Sequence, residues 1–342
     1  MKIYIASSYI SLPFLISDIY SNSNDYKIIA FNISIANFCL RLFEELKIIQ
    51  IDYPNEMVIA RNPFKIILNW IRIARKKSLA KKKLSKIKGN DVYFTDCFIY
   101  ADFELWGIKF LSKKNHVYFS SYSNFNNTYS FEVDIKGKLY NIFNKFVYGT
   151  KLTTVKMIDK IYALIAGNEY LADIDANPFE IHINFALVNK IMEDKFNVKK
   201  RKILILSSSL IYEYQYSIKK EDYIEIIDEI IDFLIEKYGI SDLAIKSHPH
   251  YLGYLSKENI IEKIEPELPA SLIANNFDIV IGYSSTTLTD ASHLGKKSIS
   301  LVNMIKSDDK SIKFNTTFLK NNMSLDNPII FPNNLIEFIN LL

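Results

Sequence analysis

The chain has 342 residues, of which 49% are hydrophobic and 14% aromatic, a composition that excludes an intrinsically disordered protein. Because this length exceeds what one hydrophobic core usually serves, we expect two domains of roughly 150 residues each. The net charge of +4 is too small to indicate a nucleic-acid-binding protein by itself.

The cysteine content and the start of the chain both bear on the cellular compartment. Cys39 and Cys97 have neither metal-ligand spacing nor further partners for a disulfide framework, which fits a reducing environment. The first six residues run directly into a strand pattern and lack the features of a signal peptide. No apolar run approaches the roughly 20 residues that span a bilayer. We therefore expect a cytoplasmic protein.

The first half alternates short apolar runs with segments of helical spacing. The predicted strands are Lys2–Ser7, Tyr26–Phe31, Ile48–Tyr53, Asp91–Thr95 and His116–Phe119. The predicted helices are Leu12–Tyr20, Ile33–Leu46, Pro63–Ile87 and Tyr100–Leu111. Residues 120–200 are less regular, with a strand predicted at Ile161–Asn168 and a turn-rich stretch at Asp173–Pro178. Alternating strands and helices are typical of a parallel, doubly wound sheet.

The second half repeats this alternation after a basic hinge at residues 199–202. Its predicted strands are Ile203–Leu206, Leu243–Lys246, Asn259–Ile264, Ile279–Gly282 and Ser298–Val302. Its predicted helices are Lys220–Tyr238, Ala270–Asn275, Thr287–Leu294 and Asn334–Leu342. We place the boundary between 185 and 202, which predicts an N-terminal domain over 1–190, a C-terminal domain over 200–325 and a C-terminal helix over 326–342. The predicted fold class is α/β, with two Rossmann-like doubly wound domains.

A histidine–proline motif follows one predicted strand of the second half, in the run Lys246-Ser247-His248-Pro249. Proline disfavours helical backbone at the preceding residue, so we expect His248 to be extended at the strand end. An imidazole there can bind a phosphate or protonate a leaving phosphate oxygen near neutral pH. The alternative is a solvated histidine at a turn.

A hydroxyl cluster, Ser284-Ser285-Thr286-Thr287, follows another predicted strand. Hydroxyl and backbone N–H groups where a strand passes into a helix form an anion site, although Ser and Thr are also ordinary helix N-caps. Because both motifs follow parallel strands, we expect them to converge on one phosphate of a nucleotide-linked sugar. Ser207 and Ser208 close a third strand, where they could contact the donor or acceptor or form an uninvolved polar turn.

A basic segment covers residues 72–88 and interleaves Lys and Arg with Ile and Leu. A basic amphipathic helix suits an anionic bilayer surface or an acidic glycan. A solvated helix face is the alternative. Aromatic residues are too sparse in this segment to indicate nucleic acid.

The order of motifs over Lys202–Val302 resembles the bacterial sialyltransferases of the lipooligosaccharide type and the bacterial polysialyltransferases. The likeness rests on Lys-x-His-Pro, a Pro-x-x-Leu-Ile turn at Pro269–Ile273, and Gly-Tyr-Ser-Ser-Thr. Teichoic-acid polymerases also place His-Pro before a Ser-Ser turn, so a CDP-glycerol or other nucleotide-linked transferase is the alternative. The resemblance implies a GT-B fold, whose two Rossmann-like domains face a cleft.

The resemblance also implies an activity and a set of site residues. Sialic acid, or a related nonulosonic acid, would pass with inversion and without a metal or cofactor from a CMP-linked donor to a hydroxyl of a bacterial surface glycan. His248 would contact the CMP phosphate and act as the acid for the departing nucleotide. The implied binding residues are Pro249 beside it, Ser284, Ser285 and Thr286 at the phosphate, and Pro269 and Ser271 near the cytidine.

The general base departs from the family pattern. The family carries it in an acidic-acidic-Gly motif after a strand of the first domain, whereas His116–Phe119 here runs into Ser120-Ser121-Tyr122-Ser123-Asn124. A base must lie within hydrogen-bond reach of the acceptor hydroxyl. The nearest substitutes are Asp96, Asp102 and Glu104, of which we assign Asp96; a helix cap is its alternative. Loss of the motif would also suit a non-catalytic relative that binds nucleotide or glycan.

Overall fold

The structure is a computed structural model that divides into two compact units, Met1–Phe185 and Ala186–Leu342. It describes residues 1–6, 11–22, 25–31, 33–51, 63–96, 102–121, 155–156, 161–162, 176–207, 218–247, 257, 259–265 and 268–342. In this part of the chain, no helix is long and apolar enough to cross a membrane.

The first unit contains a six-stranded parallel sheet with the order β3-β2-β1-β4-β5-β8, and a separate antiparallel pair, β6 and β7. Its strands are β1 (Lys2–Ala6), β2 (Tyr26–Ala30), β3 (Ile48–Gln50), β4 (Asp91–Asp96), β5 (His116–Ser121), β6 (Val155–Lys156), β7 (Ile161–Tyr162) and β8 (Ala176–Pro178). Its helices are α1 (Leu12–Asn22), α2 (Ile33–Leu42), α3 (Pro63–Leu84) and α4 (Asp102–Ser112).

Side-chain alternation along β1 divides the core of this unit between the two faces of the sheet. Ile3 and Ile5 pack in one cluster with buried side chains of α3 and α4, including Leu84 and Ile108. On the opposite face, Tyr4 lies in register with Tyr93 and Tyr118, and the rings stack in a row. Both faces of the sheet are therefore packed, as expected of a parallel sheet.

The second unit contains a five-stranded parallel sheet with the order β11-β10-β9-β12-β13. Its strands are β9 (Arg201–Leu206), β10 (Leu243–Lys246), β11 (Glu262–Lys263), β12 (Phe277–Gly282) and β13 (Lys297–Ser300). Its helices are α5 (Phe185–Phe196), which begins at the unit boundary, α6 (Lys220–Tyr238), α7 (Ala270–Ile273), α8 (Thr286–His293), α9 (Asp309–Asn322) and α10 (Leu335–Leu341).

Ionic contacts tie three strands together at the amino edge of this sheet. The Arg201 guanidinium, at the start of β9, donates hydrogen bonds to the Ser241 carbonyl just before β10 and to the Glu262 carboxylate in β11. At the same end, Gly239 closes α6 with φ +85°, a conformation that glycine adopts without strain.

The predicted α/β class with two Rossmann-like sheets is confirmed, because both sheets are parallel and their strands alternate with helices. Three details of the prediction are wrong. Arg201 and Lys202 belong to β9 rather than to a hinge, and the turn-rich stretch ends in a strand, β8. Only Glu262–Lys263 is strand within the segment predicted at Asn259–Ile264. The strand predicted at Ile161–Asn168 begins as β7 and then leaves the described residues.

Two helices, α5 and α9, are absent from the prediction. The buried side chains Val188, Ile191 and Met192 of α5 have helical spacing, so its signal was present in the sequence. In contrast, α9 buries Ser311, Asn315 and Leu319, and two of these three are polar. A search for apolar periodicity misses such a helix because its core-facing side is not apolar.

Candidate functional site

Three neighbouring strands of the second unit end at the same level. Lys246 of β10 and Gly282 of β12 are both paired with Leu206 of β9 in the parallel register. Ser247, Ser207 and Tyr283 therefore follow at the carboxyl edge of the sheet. Because β9 separates β10 from β12 and strands are roughly 4.8 Å apart, the two motif-bearing strand ends lie about 10 Å apart.

This edge is also where the strand order changes direction. From β9 the chain proceeds outward to β10 and β11, whereas β12 returns to the other side of β9 and continues to β13. Ligands of open α/β sheets bind in the crevice outside the carboxyl ends of the strands at such a switch point. The topology thus identifies the ends of β9 and β12, with β10 beside them, as the candidate site.

The histidine–proline motif begins at this edge and then leaves the described residues. Ser247 is buried at the end of β10, and His248 and Pro249 lie outside the described residues, as does Ser208. Ser207 is buried at the end of β9, where its backbone N–H donates to the Lys246 carbonyl at 3.0 Å. The convergence of His248 with the hydroxyl cluster therefore remains a prediction.

The hydroxyl cluster forms the start of α8. Ser285 is the N-cap: its backbone is extended, with φ −144° and ψ 139°, and its Oγ accepts a hydrogen bond from the Thr287 N–H at 3.2 Å. Ser284, Ser285 and Thr286 are all half-buried. The N-cap alternative is therefore correct for Ser285. An N-cap at Ser285 does not exclude anion binding, because the same helix terminus presents N–H groups and the positive end of the helix dipole.

The loop between β12 and α8 is held by β13. The Leu301 N–H donates to the Gly282 carbonyl at 2.9 Å, and the Ser300 Oγ donates to the Tyr283 carbonyl at 2.7 Å. Tyr283 is itself fully buried, and burial raises the pKa of its phenol to about 12. These contacts fix the direction in which Ser284 and Ser285 leave the sheet.

Gly282, the last residue of β12, allows close packing against β9. A Cβ at Gly282 would lie 3.0 Å from the Cβ of Leu206, which is closer than side chains normally approach. A larger residue would push β9 and β12 apart at the level of the candidate site.

Lys246, which precedes the histidine–proline motif in the sequence, is a further candidate residue at this edge. It ends β10 and is 5% exposed, and its Nζ donates to the Ser247 carbonyl at 2.9 Å. Burial lowers the pKa of the ammonium to about 8. A buried cation at the carboxyl edge favours an anionic ligand there. Its sequence signal is a lysine that closes an otherwise apolar strand.

Asp290 is a second ionisable residue near this edge. It lies on α8, one helical turn after Thr286. The residue is half-buried, and desolvation raises the pKa of its carboxyl to about 7. Near neutral pH this carboxyl can therefore either donate or accept a hydrogen bond.

Pro269 and Ser271 belong to a short helical turn that contacts α8. Pro269 is the N-cap residue of α7, and its carbonyl accepts from the Leu272 N–H at 3.1 Å. Leu272 and Ile273 are buried, whereas Ser271 is half-buried. Their predicted contact with a nucleobase remains a prediction.

Asp96 ends β4 in the first unit, where it pairs with Ser121 of β5. It therefore lies at the carboxyl edge of the first sheet. The helix-cap alternative stays open as well, because residues 97–101, between Asp96 and the first described residue of α4, lie outside the described residues. Its assignment as a general base remains a prediction. Among the described residues, no group of three or more His, Cys, Asp or Glu side chains is arranged to hold a metal ion.

Comparison with known proteins finds solved structures of similar fold but no protein of similar sequence. No protein-family model matches the sequence, and no curated protein matches it. The chain is similar to UDP-GlcNAc 2-epimerase from Methanocaldococcus jannaschii, with 17% identity and a TM-score of 0.48 over 99% of this chain and 91% of the epimerase.

Two further similar structures are a transferase and an epimerase. Heptosyltransferase WaaC of E. coli with ADP has 10% identity and a TM-score of 0.45, over 98% of this chain and 94% of that one. UDP-GlcNAc 2-epimerase from Neisseria meningitidis bound to UDP-GlcNAc has 13% identity and a TM-score of 0.44, over 100% and 90% of the two chains. None of these three is a sialyltransferase.

Proposed function

We propose that this protein is a glycosyltransferase that moves sialic acid, or a related nonulosonic acid, from a CMP-linked donor to a hydroxyl of a bacterial surface glycan. The observation that carries the proposal is the common carboxyl edge of β10 and β12, beside the switch point of the second sheet. The CMP donor follows from the motif resemblance over Lys202–Val302.

In the proposed reaction, the start of α8 binds the CMP phosphate through the hydroxyl of Ser284 and through backbone N–H groups, which Ser285 orients as the N-cap. The acceptor oxygen attacks the anomeric carbon of the donor sugar while the bond from that carbon to the phosphate oxygen breaks. Asp96 takes the proton of the acceptor hydroxyl, and His248 gives a proton to the departing phosphate oxygen. One displacement of this kind inverts the configuration.

In the proposed reaction, the buried ammonium of Lys246 offsets negative charge of the nucleotide. At neutral pH it is protonated, because its pKa of about 8 lies above the ambient pH. A positive charge at the edge of the sheet stabilises negative charge that develops on the leaving phosphate. The proposed site therefore neutralises the nucleotide with protein groups.

The test is transfer by the purified chain, supplied with CMP-sialic acid and a panel of galactosides. We expect CMP release that depends on the acceptor, together with a sialylated product of the corresponding mass. His248→Ala should lower kcat at least 100-fold, as removal of a general acid does. Asp96→Asn should lower kcat similarly, and an undiminished rate would exclude Asp96 as the base.

Two outcomes would replace the proposal. Turnover of CDP-glycerol, with none of CMP-sialic acid, would identify the teichoic-acid-like alternative. Binding of CMP without turnover of any donor would identify a non-catalytic nucleotide-binding relative, the outcome that the absent acidic-acidic-Gly motif favours.

A further inference from the structure

The outward side of α3 belongs to a strongly basic segment of the chain. Residues 63–90 include ten Lys or Arg and no Asp or Glu. The helix has 22 residues and is therefore roughly 33 Å long. Such a run of positive charge within a chain of nearly balanced charge is a surface that the proposed transfer reaction does not use.

The two sides of α3 differ in what they contact. Ile73, Ala80 and Leu84 are buried in the core of the first unit. At 100° per residue, Ile71, Arg75, Leu79 and Lys82 lie on the opposite side. Ile71 is 60% exposed and Leu79 is 53% exposed, so two large apolar side chains lie in water among the cations.

Some cations of α3 are engaged within the protein and others are not. The Lys83 Nζ donates to the Gln50 carbonyl at 2.7 Å, and the Lys77 Nζ lies 5.0 Å from the centre of the Trp106 ring. In contrast, the structure gives no ion pair within the described residues to four exposed cations, of which Arg75 and Lys82 lie on the outward side and Arg72 and Lys81 on its two flanks. Among the described residues, no acidic side chain pairs with these four positive charges.

We propose that the outward side of α3 binds the phosphate-bearing surface of an anionic membrane. Arg72, Arg75, Lys81 and Lys82 contact lipid headgroups, and Ile71 and Leu79 enter the boundary between headgroups and acyl chains. The apolar side of the helix already packs into its own domain, so the contact is shallow and mainly electrostatic. This inference does not depend on which donor the enzyme uses.

The exposed isoleucine and leucine favour lipid over an acidic glycan. A glycan offers charge and hydroxyl groups to the cations, but it offers no apolar phase to Ile71 and Leu79. A bilayer offers both, and each buried CH₂ group contributes about 0.8 kcal/mol.

The experiment is cosedimentation of the full chain with vesicles of phosphatidylcholine alone and with 30% phosphatidylglycerol, at about 0.1 M salt, where charges interact over about 10 Å. We expect binding only to the anionic vesicles. The variant R72Q/R75Q/K81Q/K82Q should bind on the order of 100- to 1000-fold more weakly, since each cation near an anionic surface contributes about 1 kcal/mol. The variant I71Q/L79Q should bind several-fold more weakly with an unchanged salt dependence.

A matched control loses the same charge elsewhere. Lys195, Lys199, Lys310 and Lys313 are exposed in the second unit, and K195Q/K199Q/K310Q/K313Q should bind anionic vesicles as the wild type does. An equal loss of vesicle binding in both quadruple variants would overturn the proposal, because binding would then depend on the net charge of the protein alone. Failure to bind anionic vesicles would also overturn it, whether or not the protein binds a soluble acidic polysaccharide. Circular dichroism of each variant checks that the fold is retained.

Discussion

At the residue scale, the second unit keeps two ionisable side chains in environments that oppose their charge. Lys246 is buried at the end of β10, and Asp290 is desolvated on α8. Each residue lowers the stability of the folded unit at neutral pH. Strongly shifted pKa values of this kind cluster at functional sites.

Replacement of Asp290 should raise stability in a pH-dependent way. The folded pKa of about 7 lies above the ordinary aspartate pKa of 3.8, so the folded state binds more protons between these values, and stability falls as the pH rises through this window. Asp290→Asn should therefore stabilise the protein at pH 8, by on the order of 2–4 kcal/mol, and have little effect near pH 4. Urea unfolding at both pH values measures this, and an equal effect at both would contradict the assignment.

Lys246→Met tests the cost of the buried ammonium. The folded pKa of about 8 lies below the ordinary lysine pKa of 10.5, so the destabilisation is complete below pH 8 and disappears as the pH rises towards 10.5. At pH 7 the free energy of unfolding of the variant should exceed that of the wild type by roughly 2 kcal/mol, once the loss of one hydrogen bond is subtracted. At pH 10.5 the two proteins should differ little in stability. Under the proposed function it should also bind CMP on the order of tenfold more weakly, as calorimetry would show. Increased stability with unchanged CMP affinity would remove Lys246 from the site.

At the scale of the element, the start of α8 combines a structural cap with a candidate anion site. Ser285→Ala removes the cap and should cost about 1 kcal/mol of stability. Under the proposed function it should also weaken CMP binding, because the uncapped first turn of α8 frays and its N–H groups no longer hold a fixed direction towards the phosphate. Calorimetric titration with CMP measures the second effect.

Asn334 provides the matched control for this prediction. It is the N-cap of α10, and its side-chain oxygen accepts from the Glu337 N–H at 2.9 Å. Asn334→Ala should therefore cost similar stability and leave CMP affinity unchanged. If both variants lowered the affinity equally, loss of stability rather than loss of the site would be the cause.

The sequence predicted most elements of the second unit because buried parallel strands are short apolar runs that end at turns. Ile203–Leu206 and Ile279–Gly282 fall within β9 and β12. The strand order cannot be read from such runs, so the shared edge of β10 and β12 required the structure. The pKa values of Lys246 and Asp290 depend on burial by residues distant in sequence, and no local pattern contains that information. The helix α9 was missed for a different reason, because two of its three buried side chains are polar.

At the scale of the whole molecule, each of the two units contains its own parallel sheet and its own buried core. Folding of two such units need not be a single cooperative event. We expect two thermal transitions by differential scanning calorimetry of the intact chain. CMP at 100 times its Kd should stabilise only one of them, by about 2.7 kcal/mol.

Variants assign these transitions to the units. Leu234→Ala, in the core of the second unit, should lower the transition that CMP raises, whereas Leu84→Ala should lower the other. A single transition that responds equally to both variants and to CMP would contradict independent unfolding.

The hydrogen bonds that Arg201 donates at the amino edge of the second sheet have a practical consequence for mutagenesis. Its partners, Ser241 and Glu262, lie at the opposite ends of the strands from Ser247 and Tyr283. Random libraries of this gene should therefore yield two separable classes of defect. Substitutions around Arg201 should reduce the amount of folded protein, and a lower growth temperature should restore it. Under the proposed function, substitutions of polar side chains at the carboxyl edge should lower turnover at every growth temperature.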